Sequence, residues 1–252
     1  MRDREAPLRE HLAELRRRLL IAVVALIIGT AVAFTQYQRI LEVLILPLRR
    51  TQGPEYDLVF TEVTEMLAVT IKASLLAGLV LALPVVLYQV IMFVAPGLTS
   101  RERRYLLGFL PGVMVAFAGG VAFGYFVLIP PAVGFLISFG GDIATPLIRI
   151  GNYVNVVVTL LFWLGVVFET PLVMVMLAKL GIVSAAGFAR WRRYTILVAF
   201  ILGAIITPTM DPVNQALVAL PILVLYEVGI LLARLLGRRP HAVAPAAGGT
   251  EP

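Results

Sequence analysis

The chain has 252 residues, of which 60% are hydrophobic and only 14% charged, with a formal net charge of +6. Soluble domains carry about a quarter charged residues, so a water-soluble globular fold is excluded and a polytopic membrane protein is implied. There is no cysteine, and the two histidines, His11 and His241, lie outside the apolar runs, so no disulfide, metal centre or cofactor is expected.

The first segment, His11-Leu12-Ala13-Glu14-Leu15-Arg16-Arg17-Arg18-Leu19, ends where the uncharged run 19–37 begins. That run is long enough to cross a bilayer as a helix, and the three adjacent arginines favour a cytoplasmic N-terminus. Two readings of Glu14 stand. On a helix it pairs with Arg18, four residues on; alternatively it faces a groove at the membrane surface and receives a cation from elsewhere. Asp3, Glu5 and Glu10, together with the spans that follow, favour a retained first helix over a cleaved signal peptide.

Residues 36–65 form a long mixed-charge connection, expected to hold short amphipathic helices on the outer surface. A second span, about 71–93, has Lys72 snorkelling at its outer end and Pro84 near its middle. After a basic loop, residues 105–141 carry no charge; Pro130-Pro131 offers a break, which makes 105–130 the third span and 132–139 a short outer helix. The fourth span, 153–177, contains Glu169 followed by Pro171. The fifth, 194–207, is short: fourteen residues make roughly 21 Å of helix against about 30 Å of hydrocarbon. The turn Pro208-Thr209-Met210-Asp211-Pro212 leads to the sixth, 213–233, and residues 238–252 read as a disordered cytoplasmic tail.

This alternation puts sixteen Lys and Arg in the inner segments and four (Arg39, Arg49, Arg50 and Arg149) in the outer ones. The bias predicts an all-α membrane protein with six transmembrane helices in one domain, 1–237, N-in and C-in. Internal prolines at 84, 111, 171 and 221 predict kinks that curve the helices into a concave bundle. The basic gaps set topology and meet lipid headgroups; they do not suggest nucleic acid.

No phosphate-binding loop, H-E-x-x-H or G-x-S-x-G pattern is present, so no enzyme is expected. Glu169 is the strongest isolated signal. Counted from Lys179 it lies about 15 Å deep, where a charged side chain costs about 2.5–3.5 kcal/mol on insertion scales. It is either a functional group or a carboxyl hydrogen-bonded to a neighbouring helix. Gln215 reads as polar glue between helices, and Glu227 as structural, with Arg234 two turns on. Glu102, amid Arg101, Arg103 and Arg104, reads by itself as a weak local ion pair; together with Glu14 it suggests an acidic site on the inner face.

The chain resembles the TatC family, the multispanning receptor subunit of the twin-arginine protein translocase. The resemblance rests on His11-Leu12-x-Glu14-Leu15-Arg16, Pro84-Val85-Val86-Leu87-Tyr88-Gln89, and Phe93-Val94-Ala95-Pro96 leading to Glu102-Arg103-Arg104. Tyr125-Phe126, Phe168-Glu169-x-Pro171, Thr207-Pro208, Asp211, Gln215 and Tyr226-Glu227 add to it. It implies a glove-shaped receptor in the bacterial inner membrane that recognises folded cargo by a twin-arginine signal peptide, with export driven by the proton motive force. It further implies that Glu14, Arg16, Phe93, Glu102 and Arg103 bind the signal peptide. Glu169 and Gln215 would meet single-span TatA and TatB partners, Pro47 and Asp211 would serve in the outer loops, and the subunit would self-associate in a larger complex. Ile91, where relatives often carry an aromatic residue, and the lengthened 208–212 turn depart from the usual pattern. The competing reading is a proton-coupled small-molecule transporter using Glu169, which inverted repeats would favour; none is seen.

Overall fold

A computed structural model of the chain describes residues 5–53, 58–94, 100–139, 147–207 and 211–236, with the side chains of 5–9, 52, 94 and 100–106 outside that description. The expected tail 238–252 and the turn residues Pro208, Thr209 and Met210 also lie outside it. Among the described residues the fold is all-helical; the one β-type contact is an isolated bridge between Val59 and Arg149.

The elements in order are α1 (Glu5–Phe34), α2 (Tyr37–Gln52), α3 (Glu65–Val94), α4 (Ser100–Phe123), a π-helical segment (Gly124–Leu128) and α5 (Ile129–Ser138). They continue with α6 (Ile150–Phe168), α7 (Thr170–Lys179), α8 (Ala185–Arg190), α9 (Arg192–Ile206) and α10 (Pro212–Leu236). Among the described residues five helical runs are long and apolar enough to cross a membrane: Glu10–Phe34, Glu65–Phe93, Leu107–Ser138, Ile150–Lys179 and Pro212–Leu236. α9, at 15 residues, is about 22 Å long.

Contacts define two faces. His11 of α1 meets Phe93 of α3, Lys179 of α7 lies over Phe109 of α4, and Arg192 of α9 pairs with Glu227 of α10; these mark the amino-terminal face. α2 and the bridge between Val59 and Arg149 mark the opposite face. Glu227 therefore finds its cation on α9, 2.6 Å away at Arg192, and not at Arg234.

α6 is the centre of the bundle. Val154, Val157, Leu160, Leu161 and Leu164 are all buried, on successive turns facing α3, α4 and α10. The outer helices show the reverse: Leu20, Val24, Ile27 and Ile28 of α1 are exposed, which is stable only when the solvent is hydrocarbon. Without a hydrophobic drive between membrane helices, close backbone approach at small residues holds them together. Gly29 of α1 sits against Gly78 of α3, where an added Cβ would come 2.5 Å from the Gly78 carbonyl oxygen. Gly120 of α4 and Gly165 of α6 make a second such crossing.

The prolines act locally and differ in effect. The backbone stays helical past Pro130-Pro131 and runs on to Ser138 through the π segment. Two adjacent prolines withdraw the N–H groups due to the Phe126 and Val127 carbonyls. The ladder loosens by one residue, with Ile129 N–H donating to the Gly124 carbonyl. At Glu169 the fourth apolar run breaks into α6 and α7, with Pro171 in the first turn of α7, where its missing N–H costs nothing.

Candidate functional site

At the amino-terminal face, α1 presents Ala13, Glu14, Arg17, Arg18 and Ile21 to Gln89 of α3, and together they line a groove of about 500 Å³. These α1 positions form two neighbouring rows with a spacing of four, 13-17-21 and 14-18, so they share one side of the helix. The Glu14 carboxylate accepts from Arg18 Nε at 3.0 Å and more closely from Nη2. Its side chain keeps 30% of its exposure, so a cation arriving through the groove can reach it. His11 stacks on Phe93, ring centroids 4.6 Å apart and planes at 23°, which ties the start of α1 to the end of α3 beside the groove. Arg16 is exposed and does not line the groove. Glu102 and Arg103 fall in the first turn of α4, and their side chains lie outside the described residues.

Deeper in the bundle, Glu169 sits at the joint between α6 and α7, against the backbone of Phe117 on α4. Both carboxylate oxygens are buried, and among the described residues neither meets a donor within the geometric limits of a hydrogen bond. Gln215 is differently placed. Its Nε2 donates to the Phe200 carbonyl of α9 at 2.7 Å, and its backbone packs on Gly203, so it fastens α10 to α9. Pro171 abuts Gly229 of α10, fourteen residues beyond Gln215, so Glu169 and Gln215 are separated by roughly 20 Å along the bundle.

On the opposite face, α2 buries Leu41, Leu44, Pro47 and Leu48 and exposes Arg39, Glu42, Arg49 and Arg50. Pro47 has no N–H to give the Val43 carbonyl, its partner one turn back. The Tyr125 hydroxyl fills that place, donating to Val43 O at 2.7 Å; Tyr153 donates to the next carbonyl, Leu44 O, at 2.9 Å. Asp211 caps α10: its carboxylate accepts from Asn214 N–H at 2.7 Å and Asn214 Nδ2 at 2.9 Å, with Pro212 at the first helical position.

The same face holds a charge cluster. Glu65 is buried and accepts from the N–H groups of Thr61 and Gly151, each at 2.9 Å, and from Arg149 Nη2 at 3.1 Å. Arg149 also reaches Glu62 at 2.8 Å, and these two carboxylates, Glu65 first, hold its pKa above the usual arginine value. Beside them Lys72 donates to Asn155 Oδ1 at 2.9 Å. The cluster clamps the segment before α3 to the start of α6.

A profile of the TatC family, described as the Sec-independent protein translocase protein, matches residues 10–221. The chain belongs to the TatC family. The TatC protein of Carboxydothermus hydrogenoformans is 39% identical over 236 residues, covering 94% of this chain and 96% of its own. That of Deinococcus radiodurans is 42% identical over 233 residues, covering 91% and 86%. A crystal structure described as the twin arginine translocase receptor TatC matches with a TM-score of 0.81 at 39% identity, covering 90% of this chain and all of that one.

In this TatC-family chain the residues expected to act together fall into three separate places. Glu14 and Phe93 share the amino-terminal face; Glu169 lies within the bundle; Pro47, Asp211 and Gln215 belong to the end that α2 covers. Sequence reasoning gave no role to Gln89, although it stands in a quoted motif, and missed the partners of Glu65 and Arg149. Those two are 84 residues apart, and no local spacing announces such a pair.

Proposed function

We infer that this chain is the receptor and scaffold subunit of a twin-arginine translocase, a non-enzymatic protein that exports folded proteins across the bacterial inner membrane. The observation that carries this reading is the groove at the amino-terminal face, where the carboxylate of Glu14 is partly exposed and already holds a guanidinium. An arginine from a signal peptide replaces Arg18 there without a new kind of contact. Two arginines stay charged at any working pH and suit a carboxylate-lined site. Glu102 and Arg103, nine and ten residues past Phe93 in the sequence, are proposed as the second half of the site, with Arg16 at its rim.

The amino-terminal face is proposed to be cytoplasmic, following the arginine bias, with six spans and both termini inside. α9 then crosses as the short fifth span. Glu169, with its two unpartnered oxygens, is proposed to receive a single-span TatA- or TatB-type helix, with Gln215 forming the outer part of that surface. Pro47 and Asp211 support function indirectly, by shaping α2 and the start of α10. Translocation draws on the proton motive force, and the subunits associate in a larger complex.

The test is binding of a twin-arginine peptide and its twin-lysine variant to the purified protein in detergent. The arginine peptide is expected to bind and the lysine peptide to bind much more weakly, because only guanidinium offers the paired, planar donors. Equal binding of the two peptides would remove this reading.

A further inference from the structure

α1, α2, α3 and the α4–π run surround an open, almost wholly apolar groove of about 710 Å³, separate from the amino-terminal groove and from Glu169. Its wall on α3 runs from Ala73 to Leu81 and on the facing run from Ala118 to Phe126. Eight residues of helix rise about 12 Å, close to the roughly 15 Å of one leaflet and less than half of what a crossing helix needs. The size therefore favours an acyl chain over a partner helix.

The mouth is not apolar. Arg39 and Gln36 line it at the end covered by α2. Arg39 is exposed and, among the described residues, has no ion pair; Glu42, three residues on, does not reach it. Arg50 of the same helix lies within electrostatic reach of Tyr125 in the groove wall. A cation over an apolar slot one leaflet deep is complementary to a lipid whose headgroup carries an unneutralised phosphate.

We propose that this groove binds an anionic phospholipid of the leaflet on the α2 side, with one acyl chain along the α3 and α4 walls and the phosphate at Arg39. The lipid fills a space that bare protein would leave apolar and open, and it bridges α2 to α1 and to the α4–π run. The proposal rests on the chain's lying in a membrane and is independent of what the amino-terminal groove binds.

The experiment is native mass spectrometry of the delipidated protein in detergent with phosphatidylglycerol, with phosphatidylcholine of the same chains, and with glycerol phosphate alone. One phosphatidylglycerol is expected to be retained about fivefold more strongly than phosphatidylcholine, the scale of one arginine at an anionic surface. Arg39→Gln removes that preference and leaves phosphatidylcholine unchanged. Ala122→Phe, at an exposed wall position, blocks the slot and weakens both lipids. Equal retention of the two lipids, or an unchanged adduct in Ala122→Phe, overturns the proposal. So does glycerol phosphate binding as well as the whole lipid. A photo-crosslinker at Ala122 is expected to label lipid in membranes; labelling of a second protein in its place would show a docked helix and overturn it too.

Discussion

The Tyr125 hydroxyl donates to the Val43 carbonyl at 2.7 Å, the carbonyl that Pro47 leaves without its helical partner. The proline and the tyrosine are thus one device: the first opens the ladder of α2, and the second closes it from the π segment. Tyr125→Phe is expected to destabilise the protein by about 1 kcal/mol, the worth of one hydrogen bond whose acceptor is left unpaired. In a Pro47→Ala background residue 47 supplies its own N–H, and the same substitution is expected to cost much less. Thermal unfolding in detergent, followed by helical circular dichroism, measures both. An equal cost in the two backgrounds would show that the residues are not coupled.

Gly119 and Gly120 stand side by side on α4 and should respond oppositely to alanine. A Cβ at Gly119 meets nothing within 4 Å, whereas one at Gly120 runs into the Leu164 carbonyl oxygen and comes 2.9 Å from the Gly165 Cα. Backbone cannot step aside as a side-chain end does, so α4 and α6 must separate. Gly120→Ala is expected to cost about 1–3 kcal/mol, as overpacking does, and Gly119→Ala to be neutral or slightly stabilising through helix propensity. Equal unfolding temperatures for the two variants would contradict this crossing.

The helical class and the apolar runs were legible because charge density and hydropathy report directly on the solvent a helix faces. Glu14 and Arg18 were legible as a pair because their spacing is local. Three other features were not. The clamp of Glu65 and Arg149 joins segments separated by two apolar runs of membrane-crossing length, and Glu65 looked like one more acid in a mixed loop. Pro130-Pro131 suggested a stop, but the helix absorbed both prolines by widening to a π turn. Glu227 suggested Arg234 on its own helix and found Arg192 on the neighbour. Each depends on which helices adjoin, and spacing along one helix does not encode that.

If α9 crosses the membrane, the connection between it and α10 faces the outside, although α9 is only 15 residues long. A bilayer thins locally to meet a short span at modest cost. The chain has no cysteine, so Thr209→Cys gives a single reactive thiol. It is expected to react with an impermeant maleimide added to intact spheroplasts. Reaction only in inverted vesicles would mean that α9 and the start of α10 form a re-entrant hairpin.

Glu169 carries a conflict between stability and function. Both oxygens are buried and, among the described residues, without a hydrogen-bond partner, which leaves the desolvation of this carboxyl poorly compensated. Glu169→Leu is expected to raise its stability by about 1–3 kcal/mol and to leave peptide binding within twofold of the parent. The same change should lower crosslinking to a TatA- or TatB-type helix, because it removes the acceptor such a helix would satisfy. Unchanged crosslinking would sever Glu169 from partner contact; loss of proton-coupled solute uptake would favour the transporter reading.

The pairing of Glu14 with Arg18 makes the proposed receptor self-occupied at rest, and this has a consequence in each direction. A half-buried pair four apart on a helix, open to the groove, is worth only about 0.3–0.5 kcal/mol, so it yields easily to an incoming arginine that brings further contacts. Arg18→Gln should therefore raise affinity for a twin-arginine peptide, by no more than about twofold. Glu14→Gln and Glu102→Gln should each lower it by about 1–3 kcal/mol, typical of hydrogen bonds to charged groups. If the two carboxylates share the arginine pair, the double variant loses less than the sum of the single losses. The measurement is peptide affinity by fluorescence anisotropy for the parent, the three single variants and the double carboxylate variant, each first shown to retain its helical content. Affinities within twofold of the parent for Glu14→Gln, Glu102→Gln and their combination would mean that Glu14 does no more than pair with Arg18.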